Sequence, residues 1–169
     1  TGKLVVDESI ASTTGLWNVY ERQWDQIILD EVGLREELLS SVMDPLTVLK
    51  GITTEMAYLT GLPKDIGIVL GCSDGALSNV GSGAISPGVM AFMVGTSGAL
   101  RITRERPFLH PKGNTWCYYA AQDLWIVGGA SNNGGNVLKW FRDNMTRGRI
   151  RKREVSGFTG VSDSISANP

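Results

Sequence analysis

Asp74 stands just after a short apolar run, Ile66 to Leu70, in the context Gly71-Cys72-Ser73-Asp74-Gly75-Ala76. A brief, β-branched, wholly apolar run predicts a strand buried on both faces and parallel to its neighbours. Ligand crevices open at the carboxyl ends of such strands, and the small residues around Asp74 leave room for a substrate, so its carboxylate suits a general base. The same position suits a helix N-cap, where an aspartate accepts the free N–H groups of the first turn. Both roles stay open on position alone.

Gly95-Thr96-Ser97-Gly98 offers a second chemistry. Successive backbone N–H groups and two hydroxyls turned toward one point hold phosphate oxygens, although four residues of this kind also make an ordinary hairpin turn. Gly95 to Ala99 falls one residue short of the GxSxG elbow of serine hydrolases, with Ala99 in the place of the last glycine. The one histidine, His110, lies just downstream of Ser97, whereas that fold places an acid and then a distant histidine after its serine. Gly128 to Gly135 holds four glycines and two asparagines before an expected helix, which permits close backbone approach to a nucleotide. A Walker loop is absent, and Gly81-Ser82-Gly83 fails the dinucleotide fingerprint because Ser86 replaces the third glycine.

The elements that must position these residues follow from periodicity and punctuation. Leu4 to Val6 predicts the end of an extended run, and Ser9 to Thr14 a polar loop. Apolar residues from Trp24 to Leu39 recur at helical spacing around Gly33, predicting two short helices ended by Asp44-Pro45. Thr53-Thr54-Glu55 predicts a capped helix ending at Gly61. Gly75 to Ala84 predicts a small-residue helix, Val89 to Ile102 a strand, tight turn and strand, and Trp116 to Val127 a second hairpin. Gly128 to Gly135 then reads as a loop leading into a helix from Asn136 to about Asn144. The pattern is α/β. Five of the seven residues from Arg147 to Arg153 are basic and the apolar periodicity ends there, so the tail from Thr146 is expected to be disordered.

Composition narrows the partners. The chain has 169 residues, is 42% hydrophobic, and carries 16 basic against 17 acidic residues. One core is the default at that length. The balanced charge points to neither a nucleic acid nor an anionic membrane, and no window approaches the ~18 apolar residues of a membrane span. Cys72 and Cys117 form no CxxC pair, which argues against a zinc site and a disulfide framework and fits the cytoplasm.

Taken in order, Ser9 to Ser12 with Thr14-Gly15-Leu16, Trp24-Asp25, Gly51 to Leu62, Gly71 to Ala76, Gly95 to Gly98 and Gly128 to Trp140 resemble the FGGY carbohydrate kinases. The likeness covers residues 1 to about 145, as an internal portion of such a kinase. It is fullest with the gluconate kinases of that family, in Ser73 to Gly83 and Asn132 to Gly135. The resemblance implies a ribonuclease H-like fold of the actin and hexokinase type, with ATP and sugar held between two domains. Residues 1–84 would close the sugar-binding domain, 85–145 would open the nucleotide-binding domain, and 146–169 depart from the family. Asp74 would be the catalytic base. Gly95 and Thr96, in the loop completed by Ser97 and Gly98, would hold the terminal phosphates, and Gly135 and Lys139 would lie along the nucleotide.

The implied reaction is ATP-dependent phosphorylation of a small sugar or sugar acid, gluconate to 6-phosphogluconate being the expectation, with Mg²⁺ as cofactor. The family's aspartate, glycine and paired-hydroxyl phosphate loop, which helps to hold that ion, has no counterpart here, so no metal ligand is assigned. A serine hydrolase using Ser97 and a truncated, non-catalytic domain are the alternatives. An unpaired strand edge and a cleft wall without its opposite domain predict self-association into homo-oligomers.

Overall fold

The structure is a computed structural model that describes residues 1–145. Strand β1 (Val5–Asp7) leads directly into helix α1 (Glu8–Thr13), where a polar loop is expected. Asp7 decides the outcome: its Oδ1 accepts the Ile10 N–H at 2.9 Å and caps the helix. The hydroxyls of Ser12, Thr13 and Thr14 donate to carbonyls three residues back instead of opening the turn.

A minimal hairpin follows, β2 (Trp17–Asn18) against β3 (Gln23–Trp24), closed by an edge-to-face pair of Trp17 and Trp24 with ring centroids 5.2 Å apart. Helix α2 (Gln26–Val32) is capped by Asp25 and ends at Gly33 in the left-handed conformation, φ 66°. Of the two expected helices, the second is only a 3₁₀ turn, Glu36–Leu38. Strand β4 (Ser41–Met43) then runs parallel to β1, so Asp44-Pro45 ends a strand and not a helix.

Strand β5 (Val48–Lys50) leads to helix α3 (Thr54–Thr60), capped by Thr53 and closed by Gly61 as its spacing predicts. Strand β6 (Gly67–Val69) departs from expectation. It pairs antiparallel with β5 and all three of its residues are exposed, so this apolar run is neither parallel nor buried. A short apolar run carries no period with which to tell the two cases apart.

Helix α4 (Asp74–Gly81) is capped by Ser73, whose Oγ accepts the Ala76 N–H. Asp74 is therefore the first residue of the helix and not its N-cap. A four-stranded antiparallel sheet follows in the order β7 (Met90–Val94), β8 (Gly98–Arg104), β10 (Leu124–Ser131), β9 (Trp116–Ala121). Gln122 and Asp123, both at positive φ (51° and 59°), make the two-residue turn between β9 and β10. Helix α5 (Gly135–Met145) closes the described chain.

The expected glycine-rich loop is thus only half a loop, because Gly128 to Ser131 belong to β10. Gly128 pairs with Arg101 on one side and Trp116 on the other, and a Cβ there would fall on the Trp116 ring and 2.5 Å from the Leu100 carbonyl oxygen. The missing side chain makes room for tryptophan and not for a nucleotide.

The β9–β10 hairpin is the centre of the molecule. Alternation sends Cys117, Tyr119, Trp125 and Val127 to one face, where they pack with Val19 and Trp17. Tyr118, Ala120 and Ile126 go to the other face, against Ala76 of α4. The segment 146–169, for which disorder is expected, lies outside the described residues.

Candidate active site

Asp74 is carried to the surface by buried hydroxyls. The Ser9 hydroxyl, fully buried on α1, accepts the Ser73 N–H at 3.2 Å and shares a hydrogen bond with the Ser73 hydroxyl at 3.0 Å. Ser12 on the same helix accepts the Tyr119 N–H at 2.9 Å. Helix α1 therefore locks the start of α4 to β9. From there the Asp74 side chain is exposed, with Oδ1 accepting the Gly75 N–H at 2.6 Å.

A cleft of about 810 Å³ opens at this point. Asp74 and Gly75 line it together with Asn18 and Asp25 from the first third of the chain, and with Ala99, Arg101, Trp116 and Tyr118 from the sheet. Gly75 is needed there, since a Cβ on it would come 2.6 Å from the Tyr118 hydroxyl oxygen and 3.6 Å from Arg101 Nε. Arg101 Nε donates to that hydroxyl at 3.0 Å, and its guanidinium carbon lies 5.7 Å from the centroid of the Trp116 ring. Trp116 stacks on Tyr118 with centroids 4.7 Å apart and planes 12° from parallel. Burial pushes the Tyr118 phenol above its usual range, with the Arg101 hydrogen bond opposing it, so the group keeps its proton at neutral pH.

The Gly95–Gly98 loop is the hairpin turn between β7 and β8, one residue beyond Ala99 of the cleft. It does not itself line the cleft. Instead it packs on the entry of α5: Gly135 N–H donates to the Gly95 carbonyl at 2.8 Å and Asn136 N–H to the Thr96 carbonyl at 3.3 Å. A Cβ on Gly134 would come 2.6 Å from the Ser97 carbonyl oxygen, and one on Gly135 3.0 Å from that of Gly95. The two segments singled out for phosphate and nucleotide are therefore in contact. Gly95 N–H is spent on the Ser97 carbonyl at 2.8 Å, while among the described residues nothing takes the N–H of Thr96 or Ser97. That pair of free donors beside two hydroxyls fits a phosphate. Lys139 stands one helical turn beyond Gly135 with its side chain exposed.

The hydrolase alternative finds no such assembly among the described residues: His110 Nδ1 accepts the Lys112 N–H within its own turn, and no hydrogen bond joins His110 to the Ser97 hydroxyl. No group of three or more His, Cys, Asp or Glu side chains suited to a metal occurs among the described residues. Cys72 and Cys117 are free thiols, both pushed up from their ordinary range chiefly by burial.

Sequence reasoning missed Arg101, Tyr118 and Trp116. A signal was present: Arg101 is two residues from Ala99 on one strand and therefore faces the same way, and a glycine at the paired position lets large neighbours meet across it. The alternation of β9, with apolar residues at every position, hides which face opens on a cleft.

An α/β chain with this arrangement has, in partial form, the ribonuclease H-like architecture of the actin and hexokinase type of ATPase, the fold shared by its sugar-kinase structural neighbours. Residues 1–81 match the model of the FGGY family of carbohydrate kinases, N-terminal domain. Over 146 residues the chain is 37% identical to a gluconokinase from Bacillus subtilis (strain 168), covering 86% of this chain and 28% of that protein. The crystal structure of a gluconate kinase from Lactobacillus acidophilus superposes with a TM-score of 0.81 at 38% identity, over 89% of this chain and 31% of that one. A ligand-bound xylulose kinase from the same organism gives a TM-score of 0.79 at 39% identity, over 86% and 30%. The chain thus spans about 30% of the length of the relatives it matches.

Proposed function

We propose that this chain contributes the general base and part of the nucleotide contact to ATP-dependent phosphorylation of a sugar acid, gluconate to 6-phosphogluconate. The observation that carries the reading is the position of Asp74, held at the first turn of α4 by buried Ser9 and Ser73 and facing a cleft that joins both halves of the chain. Residues 1–84 form the sugar side of this arrangement and 85–145 the nucleotide side. The similarity to gluconokinase and gluconate kinase supports gluconate as the substrate.

Phosphoryl transfer asks a protein mainly to align its reactants and to meet developing charge. Asp74 accepts the proton of the sugar's terminal hydroxyl as that oxygen attacks. Thr96 and Ser97 present free N–H groups and hydroxyls to phosphate oxygens, and the contact of Gly95 with Gly135 fixes that loop against α5. Gly98 completes the turn, and Lys139 extends a positive charge along the nucleotide from the face of α5 that begins at Gly135. ATP with Mg²⁺, when bound, supplies the phosphoryl group and offsets its charge; no Mg²⁺ ligand is assigned to this chain. The cytoplasm, where ATP is available, is the proposed setting, and no described helix is long and apolar enough to cross a membrane.

The test is ATP-dependent phosphorylation of gluconate and of neutral sugars by the full-length protein. Turnover with gluconate is expected. Absence of transfer to any sugar, or labelling of Ser97 by a fluorophosphonate, would remove the kinase reading.

A further inference from the structure

The cleft holds donors that the protein itself does not use. Among the described residues Arg101 Nη1 is buried without a hydrogen-bond partner, and so is Nε1 of Trp17, which lines the same cleft. The hydroxyl oxygen of Tyr118 accepts from Arg101 Nε, which leaves its own proton free to donate. Buried polar groups are normally satisfied, so a cluster of unsatisfied donors in a cavity marks the place of a ligand rich in acceptors. Arg101 is also the one cation among the described residues that line this cleft, set against the carboxylates of Asp25 and Asp74.

We propose that Arg101 and Tyr118 recognise the carboxylate of a sugar-acid substrate, the two oxygens taking Arg101 Nη1–H and the Tyr118 O–H, with the sugar hydroxyls facing Asn18 and Trp17. This rests on the kinase reading of the cleft and assigns its specificity. A guanidinium N–H and a phenol O–H, joined through Arg101 Nε, offer one donor to each carboxylate oxygen, and the Trp116 ring 5.7 Å from the guanidinium carbon helps hold it in place. A neutral sugar of similar size brings no carboxylate to the buried Arg101 Nη1, so the pair selects against it. The transferred phosphoryl group is not the oxyanion in question, because the Gly95–Gly98 loop lies outside the lining of the cleft that holds Arg101.

The experiment uses the full-length protein and its variants Arg101→Met, Arg101→Lys and Tyr118→Phe. Steady-state kinetics with gluconate and with xylulose are combined with calorimetric binding of gluconate and of uncharged glucitol in the absence of ATP. Arg101→Met should lower the gluconate-to-xylulose ratio of kcat/KM by on the order of 10–100-fold, the loss expected for one hydrogen bond to a charged group, mainly through KM. Gluconate binding should weaken by a similar factor, with glucitol little affected. Arg101→Lys should recover part of the loss. Tyr118→Phe, which keeps the ring stack, should weaken gluconate binding even if the arginine variants fold poorly.

An equal fall in kcat for both sugars would overturn the proposal and make Arg101 a group acting on the phosphoryl or through Asp74. Unchanged gluconate binding in Arg101→Met and Tyr118→Phe would also overturn it. If the parent protein phosphorylates neither sugar, the kinase reading fails on its own, and the calorimetric comparison still decides the carboxylate site.

Discussion

The central carboxylate depends on a hydroxyl in another helix. Ser9 is fully buried and is the acceptor for the Ser73 N–H, so Ser9→Ala removes a partner without adding bulk. A buried N–H left without a partner costs about 1–3 kcal/mol, and chemical denaturation of the full-length protein should show a loss in that range. Because Asp74 follows Ser73, turnover should fall with it. A variant within about 0.5 kcal/mol of the parent, in the range of ordinary surface substitutions, would mean that this link does not hold the helix start. The two thiols give a second measurement. Burial raises both Cys72 and Cys117, so thiolate is scarce at neutral pH and alkylation should be slow there, accelerating only as pH rises above the ordinary thiol range. Fast alkylation at neutral pH would contradict the buried environment.

At the scale of elements, two glycines set the geometry on which the site depends. Gly128→Val places a side chain on the Trp116 ring and the Leu100 carbonyl, which should cost about 1–3 kcal/mol or more and disturb the Arg101–Trp116 contact. Gly134→Ala drives a methyl group into the Ser97 and Gly95 carbonyls, and should raise the KM for ATP more than that for the sugar. Equal sugar and nucleotide effects would detach this loop from the phosphates.

The caps of α3 and the two hairpins of the main sheet were plain in the sequence because their causes are local: Thr53 and Gly61 bound α3, and the turn residues at Gly95–Gly98 and Gln122–Asp123 separate apolar runs. Helix α1 was missed because serine and threonine favour loops, and only the cap at Asp7 and hydroxyls folded back on the helix reverse that preference. The environment of β6 was missed because burial is decided by what packs on a strand, which its own residues do not state. Asp74 and the Gly95–Gly98 loop stood out by their flanking small residues. Arg101 and Tyr118 did not, since their meeting depends on sheet order: β8 and β9 are both neighbours of β10, with Gly128 between them.

Across the whole molecule, apolar surface is left in water on several elements: Ile27 is 82% exposed, Tyr58 88% and Phe92 67%. Strand β7 is an edge of the main sheet, and Met90, Phe92, Met93 and Val94 along it are all exposed. Exposed edges and apolar patches of this kind promote association. The 169-residue chain on its own should therefore sediment as self-associated species and melt with low cooperativity. A monodisperse, cooperatively melting monomer would refute that expectation. The central claim, that Asp74 is the base of a sugar-acid kinase, is tested most directly by the rate of phosphate transfer from ATP to gluconate in full-length Asp74→Asn protein. Loss of a positioned base predicts a fall in kcat on the order of 10²–10⁴-fold with nucleotide affinity nearly unchanged. A near-normal kcat in a folded Asp74→Asn variant would contradict the account.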